Sequence, residues 1–81
     1  MAILVPTYDL AQRIGRSIEI DAGTVEELIE RALERFGEDL RPVLRTALIA
    51  VNGVAISRLD LGKTRLGPED EVWLLVPAAG G

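Results

Sequence analysis

The 81-residue chain contains no cysteine and no histidine. That removes disulfides, thiol catalysis, cysteine- and histidine-based zinc sites and the commonest general base together. Basic residues are in deficit, 9 Lys and Arg against 13 Asp and Glu for a net charge of −4, and they form no cluster. Nucleic-acid binding needs clustered cations to neutralise phosphates, so the composition excludes it and favours a basic protein partner. No apolar run approaches the roughly 18–20 residues of a membrane span, and "MAILVPTYD" lacks the basic segment and apolar stretch of a signal peptide. The expectation is a soluble, cytoplasmic protein with no membrane association.

What is present fits one small domain that buries about 60–65% of its unfolded surface. Ala2 to Thr7 and Arg16 to Asp21 are short apolar or alternating stretches joined by a segment carrying Gly15, which predicts a strand–loop–strand hairpin with Ile18 and Ile20 on one face. Thr24 and Glu27 have capping-box spacing, where each side chain satisfies a free N–H of a first helical turn. Val25, Leu28, Ile29, Ala32, Leu33 and Phe36 then form one helical stripe, and Gly37 is placed to end it in a left-handed conformation. Glu26, Glu27, Glu30, Arg31, Glu34 and Arg35 make the solvated face. Residues 38–45 read as a connector with a short helical turn.

"ALIAVNGVAI" predicts strand, Asn52-Gly53 turn and strand, because both central positions of a tight hairpin need positive φ and these residues tolerate it. Residues 57–70 form a loop-rich crossing, and Glu71 to Pro77 a last strand ended by a residue that cannot donate to a ladder. A sheet with one main helix on one face buries every apolar stripe, an α+β fold of β-grasp (ubiquitin-like) type with a mixed four- to five-stranded sheet. Its first and last strands are expected as parallel central neighbours, since "AILV" and "VWLLV" are the most continuously apolar. The domain is expected over residues 1–77, with 78–81 a flexible tail ending in Gly-Gly.

Side-chain chemistry is sparse. Glu69, Asp70 and Glu71 are adjacent on a turn and do not face a common substrate, so they read as a solvated turn. "LGKT" resembles the end of a phosphate-binding loop, but the glycine required five positions before Gly62 is Ser57. The last strand offers a choice of register. Val72, Leu74 and Val76 are assigned to the helix side and Trp73 and Leu75 to the open face, with Ile49 and Val51 inward and Leu48 and Ala50 outward. An exposed apolar patch with a tryptophan, beside a tail, is a protein-docking surface. Pro77 ends the sheet, Ala78 and Ala79 are small, and Gly80 and Gly81 carry no side chain, so the last residues form a thread able to enter a narrow channel.

Several segments resemble the ubiquitin-like sulfur carriers typified by ThiS, MoaD and CysO: "VNG" (Val51 to Gly53), Leu66 to Val72, the apolar last strand and "VPAAGG" (Val76 to Gly81). Where that family commonly has an Asp-Gly-Asp turn before the last strand, this chain has Pro68-Glu69-Asp70. The resemblance implies that an ATP-using, ubiquitin-activating-like enzyme adenylates Gly81, with Gly80 easing its passage. A sulfur donor then converts it to a thiocarboxylate that a downstream sulfur-accepting enzyme consumes, as in cysteine, thiamine or molybdenum cofactor biosynthesis or tRNA thiolation. ATP belongs to the partner, and no cofactor or metal is expected on this chain, which is a carrier and not an enzyme. Three other readings stay open: a ubiquitin-like modifier conjugated to lysines, the small subunit of a molybdopterin-synthase-type complex, and a bare interaction domain.

Overall fold

The computed structural model describes residues 1–76. Strands β1 (Ala2–Pro6), β2 (Ile18–Ile20), β3 (Leu48–Val51), β4 (Val54–Ile56) and β5 (Glu71–Leu75) form one sheet in the order β2-β1-β5-β3-β4. β1 and β5 pair in parallel at its centre and the other neighbours are antiparallel, which is the predicted β-grasp arrangement with five strands. Alternation decides the faces. Leu4, Val72 and Leu74 are fully buried on the helix side with Ile18, Ile20 and Ile49, and the predicted register of the last strand is the one observed.

The main helix α2 (Val25–Phe36) supplies the opposite half of the core through Val25, Leu28, Ile29, Ala32 and Leu33. Thr24 Oγ1 accepts from the Glu27 amide at 3.1 Å, as the capping spacing requires. The Glu27 carboxylate, however, accepts from Gly23 N–H at 2.7 Å, one residue further back than in the usual reciprocal box. The amides of Val25 and Glu26 donate to the carbonyls of Thr64 and Leu61, so the crossing segment completes the cap. Gly37 ends α2 at positive φ, but its ψ of 138° lies outside the left-handed helical well. Glycine alone reaches that combination comfortably.

Two segments differ from the sequence expectation. Residues between β1 and β2 fold as a helix, α1 (Tyr8–Ile14), where a loop was expected. Leu10 is buried and Ile14 packs against the core one turn later, so two apolar residues at i and i+4 dock a helix too short to persist alone. The expected connector is a 3-10 turn at Glu38–Leu40 running into α3 (Arg41–Thr46), which buries Leu40 and Leu44. Arg58 donates to the carbonyls of Leu44 and Ala47, covering the C-terminal end of α3 with a cation. The last strand ends at Leu75, with Val76 packed partly on the core, and Pro77 lies outside the described residues.

Candidate docking face and tail root

Among the described residues no element covers the sheet face away from α2, and the register sets what lies on it. Trp73 is the cross-strand partner of Ala50 on one side and Val5 on the other, and Ala50 in turn faces Ala55. Ala55, Ala50, Trp73 and Val5 therefore form one row across four strands, and Leu48 and Leu75 form a second. Opposite residues in adjacent strands have Cβ atoms about 5 Å apart, so each row is a continuous apolar band. Trp73 and Leu75 are 39% and 38% exposed and Leu48 is 68% exposed. The four sheet residues predicted to bind a partner, Trp73, Leu75, Leu48 and Ala50, thus lie together on one face. Ile3, Val5 and Ala55 enlarge the patch, a contribution that alternation in β1 and β4 carried once the pairing was known.

One end of this face is acidic. Ile3 is flanked by Glu19 on β2 and Glu71 on β5, and Trp73 Nε1 donates to Glu71 Oε1 at 3.0 Å. That bond ties the indole to a side chain two residues back on its own strand and satisfies its one polar group. The run Glu69, Asp70, Glu71 is a structural clasp here. Asp70 accepts from Gly67 N–H at 2.7 Å and from Asn52 Nδ2 at 3.1 Å. Asn52 Oδ1 accepts from the Glu71 amide at 2.9 Å. The backbone donor of Gly67, followed by Asn52, holds the Asp70 carboxyl below the usual carboxylate range. Glu69 adopts φ 66°, the position where the resembling family commonly has glycine. Hydrogen bonds from Gly67 and Asn52 to Asp70 hold the turn in this chain.

At the other end, β5 leads toward the C-terminus beside Thr7. The Thr7 hydroxyl donates to the Leu74 carbonyl at 2.8 Å and accepts from Val76 N–H at 3.2 Å. Sequence reasoning missed this residue as a functional one, because the contact spans 67 residues and has no local signature. Tyr8, Leu10, Arg13, Leu40, Val43 and Val76 line a groove of about 310 Å³ on the helix side of the same end. Residues Pro77, Ala78, Ala79, Gly80 and Gly81, all predicted to act, lie outside the described residues.

Among the described residues no group of acidic side chains is arranged to hold a metal ion, and no polar side chain is buried. The charged side chains pair on the surface instead. Arg41 donates to Glu38 from one N–H edge of its guanidinium and to Glu30 from another, at 2.8–3.0 Å, and Arg13 pairs with Asp39 at 2.7 Å. These contacts hold Glu30, Glu38 and Asp39 below their ordinary carboxylate values, in each case chiefly through the arginine hydrogen bonds. What the described residues offer is an exposed apolar face centred on Trp73, Leu75 and Leu48.

A sequence profile described as the ThiS family matches residues 9–81. No curated protein matches the chain. Among solved structures, SAMP1 from Haloferax volcanii aligns with a TM-score of 0.78 at 22% identity, over 99% of this chain and 98% of that one. A chain from the complex of subunits 1 and 2 of the molybdopterin-converting factor from Helicobacter pylori aligns with a TM-score of 0.66 at 28% identity, over 99% and 97%. The BexX/CysO complex of Amycolatopsis orientalis contributes a match with a TM-score of 0.79 at 19% identity, covering all of both chains. The likenesses at 22% and 19% identity speak for the fold alone.

Proposed function

The chain belongs to the ThiS family of small ubiquitin-like carrier proteins, and we propose that it is a sulfur carrier whose reactive group is the Gly81 carboxylate. A carboxylate is a poor electrophile until one oxygen becomes part of a good leaving group. In the proposed cycle a ubiquitin-activating-type enzyme supplies ATP, and the Gly81 carboxylate oxygen attacks its α-phosphorus, releasing pyrophosphate. Sulfide then attacks the acyl carbon, AMP departs, and the thiocarboxylate that remains donates its sulfur to a downstream enzyme in cofactor or cysteine biosynthesis. No side chain of this protein enters a bond-making step, which accords with the absence of cysteine and histidine.

The observation that carries the reading is that the family match runs through Gly81, so the Gly-Gly pair falls within it. The open face supports it as the surface on which an activating enzyme would dock, with Trp73 at its centre. A second reading, the small subunit of a molybdopterin-synthase-type complex, is favoured by the 28% identity with a chain of the Helicobacter pylori converting-factor complex. In that case the same tail would sit in a larger subunit's active site.

Intact-mass measurement tests the proposal. Incubation with the activating enzyme, ATP and sulfide is expected to add the mass difference of one oxygen-to-sulfur exchange. Removal of Gly81 should abolish that exchange and leave the unfolding transition unchanged. A full exchange in the truncated protein would overturn the assignment, whereas lysine-linked adducts on a denaturing gel would identify a conjugated modifier.

A further inference from the structure

The two edges of the sheet differ in a way that the carrier role does not require. On β2 the outward backbone group is occupied, since the Glu19 carbonyl accepts from Arg35 at 3.3 Å. That edge is also flanked by Arg16, Glu19 and Asp21. Charged side chains and a covering cation are how proteins protect a strand edge from pairing with another chain. Among the described residues the β4 edge has neither protection. No charged residue occurs from Asn52 to Ser57, and Arg58 is turned away onto the carbonyls of α3.

The hairpin register shows which backbone groups are open. Asn52 and Gly53 both have positive φ, at 50° and 87°, and Val51 faces Val54 across this two-residue turn. In such a hairpin the residues flanking the turn exchange hydrogen bonds, so the next residue on β4, Ala55, points its N–H and C=O away from β3. Among the described residues no turn, cap or side-chain group bonds to either. Val54 is 66% exposed, and Leu59, just beyond the strand, is 89% exposed. Ala55 also ends the row that runs through Ala50 and Trp73, so a protein seated on the open face reaches this edge without crossing a charged side chain.

We propose that β4 is a strand-addition site, where an extended, apolar segment of a partner protein pairs with Ala55 and continues the sheet. An outward donor and acceptor on one residue, with exposed aliphatic side chains alongside, is the chemistry that recognises an extended main chain. The proposal rests on the reading that a partner docks on the open face. The net charge of −4 favours a neutral or basic segment.

The test uses the ¹⁵N-labelled full chain and a blocked peptide of alternating valine and threonine with a lysine at each end, independent of any activating enzyme. Amide shifts are expected at Gly53, Ala55 and Ser57, with slowed exchange at Ala55. Ala55→Pro, which removes the donor, should weaken binding about tenfold, while Ala55→Val, which keeps it, should not. A well-dispersed spectrum of the proline variant verifies that it folds. Unchanged binding by the proline variant would overturn the proposal, as would shifts confined to β2 or absent altogether. Concentration-dependent self-pairing at β4 without peptide would assign the edge to a second copy and overturn it too. Failure of Gly81 loading in the mass experiment leaves these readouts unaffected, so the two readings fail separately.

Discussion

Thr7 and Val76 are joined across the end of the central strand pair: the Val76 amide donates to the Thr7 hydroxyl at 3.2 Å, and the same hydroxyl donates to the Leu74 carbonyl at 2.8 Å. One side chain on the segment leaving β1 thereby closes the last turn of hydrogen bonding on β5. Both bonds lie at the end of the described residues, which stop at Val76.

Thr7→Val keeps the shape of the side chain and removes both bonds. With each worth about 1 kcal/mol net, the expected loss is about 1–2 kcal/mol, with faster hydrogen exchange at Val76. Thr7→Ser should retain both the stability and the protection. Denaturant unfolding and amide exchange measure the two effects, and an unprotected Val76 in the native protein would refute the anchor.

Trp73 and Leu74 are adjacent in sequence and opposite in environment. Trp73→Ala should cost under about 1.5 kcal/mol, since a half-exposed side chain leaves no large cavity, yet it should weaken binding to the activating enzyme. Leu74→Ala, at a position 1% exposed, should cost about 2–5 kcal/mol. Chemical denaturation of the two variants checks the register directly. Equal losses would contradict it.

Glu69 occupies a left-handed position at φ 66°. Placing a non-glycine residue there costs about 1–2 kcal/mol, and glycine gives back about 0.4–1 kcal/mol through its freer unfolded chain. Glu69→Gly is therefore expected to stabilise by about 0.5–1 kcal/mol. Asp70→Ala, which removes the clasp to Gly67 and Asn52, should destabilise. A thermal-melting comparison of both with the parent tests the account.

Glu30, Glu38, Asp39 and Asp70 all have folded-state values lowered by hydrogen bonds, three of them to arginine. A carboxylate of this kind binds a proton more readily when unfolded, so its contribution is complete above the unfolded value of about 4 and is lost as pH falls through the lower folded value. The melting temperature should be flat from neutral pH down to about 5 and fall below about 4. Arg41→Gln, which removes the partner of Glu30 and Glu38, should make that fall shallower. A midpoint independent of pH down to 3, or a variant as acid-sensitive as the parent, would contradict the argument.

Local chemistry made some elements readable. Thr24 and Glu27 mark the start of α2 and Gly37 its end, and Asn52-Gly53 defines the β3–β4 hairpin, because each acts on backbone within a few residues. The choice of Val72 and Leu74 for the core followed from packing aliphatics against a helix. By contrast α1 has no local signature, since a seven-residue helix draws its stability from docking Leu10 and Ile14 on the core and not from its own sequence. The helical segment Arg41–Thr46 was underestimated for the same reason: its support comes from Leu44 in the core, Arg58 on its final carbonyls and the Glu30–Arg41 pair.

The amino-acid order by itself determined the absence of thiol and imidazole chemistry, the periodicities of helix and strands, the tight hairpin turn and the Gly80-Gly81 ending. These depend on composition and on forces between near neighbours. Tertiary structure decided that Ala55, Ala50, Trp73 and Val5 share one row, that Thr7 ties down Val76, and that among the described residues one sheet edge is covered while the other is open. Each of these joins residues distant in sequence, and strand order and register, which no single segment encodes, place them together.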